Sequence, residues 1–403
     1  MQRHEKKRRS IRPAKVLAKP IVGVVVDGVM GHGRALIRGV LRYANARRCW
    51  LLHEELRGGF SPEFQWPRCT GAIVSGGAAG VFDVVREKTR FIVQCTGGAD
   101  SSIAPVVSAD DQAVGVMAAN HLMECRLVHY GFYGRARSRF SLLRQQGFET
   151  ALAAKKYACA VSPVEWPEVY LWTFRDHWPA LQSWLKGLPK PVGILACDDM
   201  AAHDLAACCL HAGISVPEQI AIIGVNNDDL LCESSWPPIS SVEVDFVHVG
   251  FLAAQTMHQL IENRRIPAGS KETLVAPKGV ARRMSSDVLA VSEPQLADAI
   301  RFIRHHACDP CTVKDVLRQV PVGRRWLERH FLEKVGRTPH DEIIRVRVEN
   351  ALRLLRHPEE NIEHVSDICG FSAVPNMVRT FRQVLGYTPA AYRRQHMWGL
   401  RNS

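Results

Sequence analysis

From Pro20 to Met284, short unbroken apolar runs alternate with stretches in which apolar residues return every third or fourth position. IVGVVV, GAIVSGG, FIVQCTGG, HYGFYG, VGILACDD and IAIIGVNN are of the first kind, and several end in glycine or small polar residues ahead of an amphipathic stretch. Runs of this type suit strands buried on both faces, so the alternation predicts parallel sheets flanked by helices. Towards the C-terminus only the helical period remains. Val313, Val316 and Val320 share one helical face, Pro321 and Gly323 punctuate, and Leu327, Phe331 and Val335 stripe the next helix. Thr338 and Pro339 read as N-cap and first residue of a long helix through Ile343, Ile344, Val348, Leu352 and Leu355, ending before Pro358. Ile362, Val365 and Ile368 form another stripe, Gly370 permits a turn, Ser372 is placed as an N-cap, and Met377, Phe381 and Leu385 bury the following helix.

The second set of helices repeats the first. Arg329, Phe331, Gly336, Thr338 and Pro339 recur at a constant interval as Arg379, Phe381, Gly386, Thr388 and Pro389. Each copy has the outline of a helix-turn-helix, with arginines beside the buried face of its second helix. The chain is therefore expected to divide into a basic tail over 1–19, an α/β domain over 20–284, a linker over 285–293 and an all-α domain over 294–398.

The helical segment, above all CGFSAVPNMVRTFRQVLGYTPAAYRR, resembles the AraC-type DNA-binding domain, which carries two helix-turn-helix units. That resemblance implies base-reading side chains on the outward faces of the second helices, at Arg325 and Arg329 in unit one and Asn376 and Arg379 in unit two. Side-chain chemistry agrees, because arginine can donate a pair of bonds to guanine O6 and N7, and asparagine matches adenine N6 and N7. Arg324, Arg382, Arg393 and Arg394 read as phosphate partners, which add affinity without choosing sequence. Pro375, in the first turn of the second reading helix, departs from the polar residue common in the family and removes a base contact there.

Charge supports a nucleic-acid partner: 52 Lys and Arg against 40 Asp and Glu give a formal net charge of +12, much of the excess lying in the opening MQRHEKKRRSIRPAKVLAK. That opening lacks the apolar stretch of a secretory signal, and no apolar run is long enough to span a bilayer. The twelve cysteines are scattered, so reduced thiols in a cytoplasmic protein are expected, with vicinal Cys208 and Cys209 as packing residues. The cluster His305, His306, Cys308 and Cys311 lacks the second ligand pair of a structural zinc site, and no metal or cofactor is expected.

In parallel sheets of this kind ligands gather at the carboxyl ends of strands, which here carry Asp27, Asp198, Asp199, Asn226 and Asn227. Gly28, Gly31 and Gly33 do not have the order of a dinucleotide fingerprint, no P-loop sequence occurs, and no nucleophile and base stand beside Asp198 and Asp199. The residues fit a binding module, not an enzyme; the competing reading is a sugar-processing enzyme with a helical accessory domain. ACDDMAA, IAIIGVNNDDL, PPISSVEVD, VSADDQAVGVMAANHL and GFYGRARSRFSLLRQQGFETAL resemble the two-lobed periplasmic-binding-protein-like domain of LacI-type sugar repressors. The resemblance implies ligand contacts at Arg144, Asp198 and Asn226, the last where the family often has Asp. Joined to an AraC-type reader through LADAIRFIRHHACDPCTVKDVL, and with CRLVHYGFYG and HGRALIRGV, the whole is similar to a family of pentose-responsive transcription regulators. That similarity adds Arg34 as a ligand contact, with Gly31, His32 and Gly33 as a departure beside it. It implies double-stranded DNA and a pentose or other small metabolite as ligands, a homodimer, and RNA polymerase as a partner if the regulator is an activator. No membrane partner is expected.

Overall fold

The structure, a computed structural model, describes residues 19–55, 66–75, 81–95, 103–166, 176–263, 272–288, 293–355 and 359–394. The chain forms two compact units that divide between Val288 and Leu289. The expected basic arm thus lies outside the described residues but for Lys19, as do residues 289–292 of the expected linker.

The first unit consists of two lobes built to one plan. In the first lobe β1 (Ile21–Val25), β2 (Leu51–Glu55), β3 (Cys69–Ser75), β4 (Thr89–Cys95) and β5 (Val106–Ala109) alternate with α1 (Gly31–Arg47) and α2 (Val81–Lys88). In the second, α3 (Asp111–Glu124) precedes β6 (His129–Tyr133), α4 (Arg139–Ala153), β7 (Cys159–Val161), α5 (Trp178–Gly187), β8 (Val192–Ala196), α6 (Asp199–His211), β9 (Ile220–Val225), α7 (Asp229–Ser234) and β10 (Ser240–Glu243). The chain then returns to the first lobe with α8 (Phe246–Asn263) and β11 (Glu272–Val275), and to the second with β12 (Gly279–Ala281). The sheet orders are β11-β5-β4-β3-β1-β2 and β12-β10-β9-β8-β6-β7, so each sheet is a doubly wound set with a sixth strand added at its edge. All pairings are parallel except β10 with β12.

The apolar runs lie where their composition demands: β8 and β9 are buried along their whole length. Each lobe is also closed by a helix pair at glycine contacts. A Cβ on Gly39 of α1 would lie 2.0 Å from the Val247 carbonyl oxygen, and one on Gly115 of α3 2.0 Å from that of Arg144. The unit runs through Val288, past the boundary expected at 284. Ser285 Oγ donates to the Ile222 carbonyl at 2.6 Å and accepts from the Ser240 amide at 2.8 Å, which ties this segment into the second lobe.

The second unit is helical: α9 (Pro294–His306), α10 (Val313–Gln319), α11 (Arg324–His330) with a looser turn over Phe331–Val335, α12 (Pro339–Leu354), α13 (Ile362–Ile368) and α14 (Val374–Leu385), followed by helical residues at 389–394. It has two cores. Ile303, Val316, Leu327 and Phe331 build one, Val365, Cys369, Met377 and Phe381 the other. Helix α12 serves both, giving Ile343 and Val346 to the first and Val348 and Ala351, with Leu355 at its C-cap, to the second. Its start is a capping box of Thr338 and Asp341 with Pro339 as first residue. Two local expectations change. Ile368 is 48% exposed and Cys369 takes its core place, because α13 stops at Ile368 and the left-handed Gly370 redirects the chain. Ala373, not Ser372, occupies the N-cap position of α14.

Candidate functional site

In the first unit the carboxyl ends of β1 and of β8 and β9 bring their polar residues together between the lobes. Arg144, on α4, is 3% exposed, and its planar fork joins separate segments. Nε donates to Asp111 Oδ1 at 2.8 Å, Nη1 to the Cys197 carbonyl at 2.6 Å, and Nη2 reaches Asn226 Oδ1 at 3.5 Å. The Phe140 ring lies 4.9 Å from the guanidinium carbon. Burial pushes the Asp111 carboxyl up against the opposing pull of Arg144. Asp198 caps α6, accepting from the Ala201 amide at 2.8 Å, and its other oxygen lies 3.7 Å from Arg135. Asn226 has a left-handed backbone, φ 107°, that asparagine tolerates better than most residues.

The four sequence candidates are therefore not equivalent. Arg144 and Asn226 touch, and Asp198 follows directly on the Cys197 carbonyl that Arg144 holds. Arg34 stands on the other lobe, where Nη1 donates to the carbonyls of Gly28 and Val29 in the preceding turn. Asp199 is no partner for Asp198. It points inward, 1% exposed, accepting from Ser241 Oγ at 2.6 Å and the Asp228 amide at 2.7 Å, and burial pushes its carboxyl up to about 7. Asn227 is likewise occupied by Arg283 at 2.9 Å.

His32 and Asp228 lie beside these residues, and neither was a sequence candidate for a ligand contact. His32, half-buried in the first turn of α1, packs 5.3 Å from the Phe246 ring. Burial pushes its imidazole below the usual range, against the pull of Asp198, Asp27 and Asp228. Asp228 reaches from the second lobe to the Gly31 amide of the first at 3.0 Å. The sequence signals were the unusual Gly31-His32-Gly33 run for His32 and the IAIIGVNNDDL motif for Asp228. A buried guanidinium fork among acceptor oxygens offers fixed donors and acceptors of the kind that hold a hydroxyl-rich molecule.

In the second unit Arg325 and Arg329 are exposed on α11, and Arg324 pairs with Glu328 at 2.8 Å. On α14 Arg379 and Arg382 are exposed, but Asn376 is engaged. Its Oδ1 accepts from Arg379 at 3.1 Å while its Nδ2 donates to Ser372 Oγ at 2.5 Å. Arg394 is exposed. Arg393 is half-buried with Nε and Nη2 turned away from solvent, unlike a side chain set out to meet a phosphate. Cys308 is hydrogen-bonded to Cys369 and accepts from Asn350 at 3.3 Å, while Cys311 packs in the first core. Among the described residues no helix is long and apolar enough to cross a membrane.

Residues 119–286 match the periplasmic binding protein-like domain family and residues 316–395 a helix-turn-helix domain family. The Xylose operon regulatory protein of Escherichia coli K12 is 31% identical over 294 residues, covering 71% of this chain and 73% of that protein. Its counterpart from Haemophilus influenzae is 28% identical over 292 residues, 72% and 74% of the two chains. The solved structure of the xylose-binding transcription activator XylR superposes with a TM-score of 0.78 at 27% identity, over 94% of this chain and 98% of that one. With both domain types present and this similarity along most of its length, the chain belongs to the family of xylose operon regulatory proteins, transcription regulators and not enzymes.

Proposed function

We propose that the first unit senses a pentose, D-xylose foremost, between its lobes, and that the second carries this signal to DNA. Arg144, Asp198 and Asn226 are the contacts from the second lobe and Arg34 the contact from the first. The observation that carries this reading is the Arg144 fork, which binds the start of α3 and the ends of β8 and β9 into one rigid acceptor-rich surface. A sugar with higher affinity for the closed arrangement shifts the lobes towards it. In the second unit Arg325, Arg329 and Arg379 read bases, Asn376 contributes at the same groove, and Arg324, Arg382 and Arg394 meet phosphates, while the half-buried Arg393 does not. The regulator works as a cytoplasmic homodimer, because paired readers match paired half-sites, and as an activator it contacts RNA polymerase.

The test is thermal unfolding of the purified chain against a panel of pentoses, hexoses and polyols, since a ligand that binds only the folded state raises the transition temperature by mass action. One sugar should raise it selectively. Calorimetry on Arg144→Ala should then show sugar binding lost with DNA binding retained. Unchanged sugar affinity in that variant would remove Arg144 from the site.

A further inference from the structure

An aspartate just before a helix ordinarily turns its carboxylate onto that helix's own first amides. Asp228 occupies that position before α7, but its side chain makes no such bond. It crosses the cleft instead. Oδ2 accepts from the amide of Gly31, the first residue of the 17-residue helix α1, at 3.0 Å, and α1 has no side-chain cap from its own N-cap residue, Met30. The missing cap of a first-lobe helix is thus supplied by the second lobe. Glycine is what permits the approach: a Cβ at position 31 would lie 2.4 Å from Asp228 Oδ2. Asp228 is itself held from below, its amide donating to buried Asp199 at 2.7 Å, which ties its backbone to the second lobe.

The second oxygen is the informative one. Asp228 Oδ1 is buried and has no hydrogen-bond partner among the described residues. A carboxylate oxygen shut from water with no donor is costly, and the remedy is a donor that arrives with the ligand. The lobe ends here also carry Asp27 and Asp198, which disfavours an anionic ligand and favours neutral hydroxyls. We propose that Asp228 is a cross-lobe cap of α1 whose Oδ1 accepts a hydroxyl of the bound sugar, so that one carboxylate both joins the lobes and reads their ligand. This rests on the cleft being the sugar site. The cap fastens the lobes; the hydroxyl completes the carboxylate and favours the closed arrangement over the open one.

The two halves separate experimentally in the full-length protein. Without sugar, hydrogen exchange of the segment Gly31–Arg34 should quicken in Asp228→Ala and in Gly31→Ala, with the strands of the second lobe unchanged. Asp228→Asn should keep the protection, because the amide oxygen still accepts from Gly31. Calorimetric titration with D-xylose, and with other neutral pentoses and hexoses, should show Asp228→Asn weakened about 10- to 100-fold, since the acceptor facing the hydroxyl becomes a donor. Unchanged exchange in Asp228→Ala overturns the cap, and unchanged sugar affinity in Asp228→Asn overturns the acceptor. Wild-type protein that binds no sugar of the panel defeats the sensor reading and the acceptor with it, while quickened exchange in the two cap variants would still establish the cap.

Discussion

Arg329 and Arg394 both present guanidinium groups to solvent, yet the chemistry of a base edge and of a phosphate separates them. A guanidinium on guanine loses its paired bonds at any other base, so Arg329→Ala should cost about 1–3 kcal/mol on the preferred duplex and relax preference at one position. A guanidinium on phosphate is blind to sequence, so Arg394→Ala should weaken all duplexes alike and lower the salt slope of binding by about 1. Competition binding on a set of single-position duplexes, repeated at several salt concentrations, checks both, and equal weakening on every duplex by Arg329→Ala would make it a phosphate contact. At this scale the sequence was a good guide to which residues face out and a poor one to what they hold. Arg329 and Arg379 could be placed by period alone. That Asn376 spends its oxygen on Arg379 and its amide on Ser372 could not, because helical spacing brings these side chains within reach without ranking the bonds they choose.

Among the elements, α12 depends on a group that apolar periodicity does not reveal. Glu342, fully buried in its first turn, accepts from Arg337 at 2.6 Å and from Arg345 at 2.7 and 2.9 Å, and lies 3.7 Å from Arg304 on α9. Burial alone would raise its carboxyl, but Arg345, Arg304 and Arg337 hold it down to about 2 from an ordinary 4.5. A carboxylate lowered by folding stabilises the native state above its unfolded value, and that contribution fades as pH falls from about 4.5 towards 2. Removing the charge at neutral pH leaves three arginines facing a neutral group, so Glu342→Gln should lose about 3–5 kcal/mol. Urea unfolding of both proteins at pH 7 and pH 3 should show the gap between them narrowing with acid; a gap independent of pH would mean that Glu342 acts through packing and not charge. Stripes such as Val316 with Val320 and Met377 with Phe381 were legible because each is local. The contacts of Gly39 with α8 and of Gly115 with α4 were not, because the partner backbone is remote in the chain and no local period encodes which glycine it will meet.

The whole molecule joins a sensor to a reader, each a compact unit with its own core, so the signal must be a free energy shared between two sites that do not overlap. Equilibrium binding imposes a reciprocity on such sharing: whatever factor the sugar applies to DNA affinity, DNA must apply to sugar affinity. Coupling of this kind is typically about 1–3 kcal/mol, a factor of roughly 5 to 150. A duplex selected from a random library by the full-length protein should therefore bind more tightly with saturating D-xylose, and the sugar, titrated against the protein with and without that duplex, should show the same ratio. Agreement within error would establish that closure of the sensor and engagement of the reader belong to one conformational equilibrium. A sugar that binds well but leaves DNA affinity unchanged would have no differential affinity for the states that differ in the reader, and lobe closure would then end at the boundary between Val288 and Leu289.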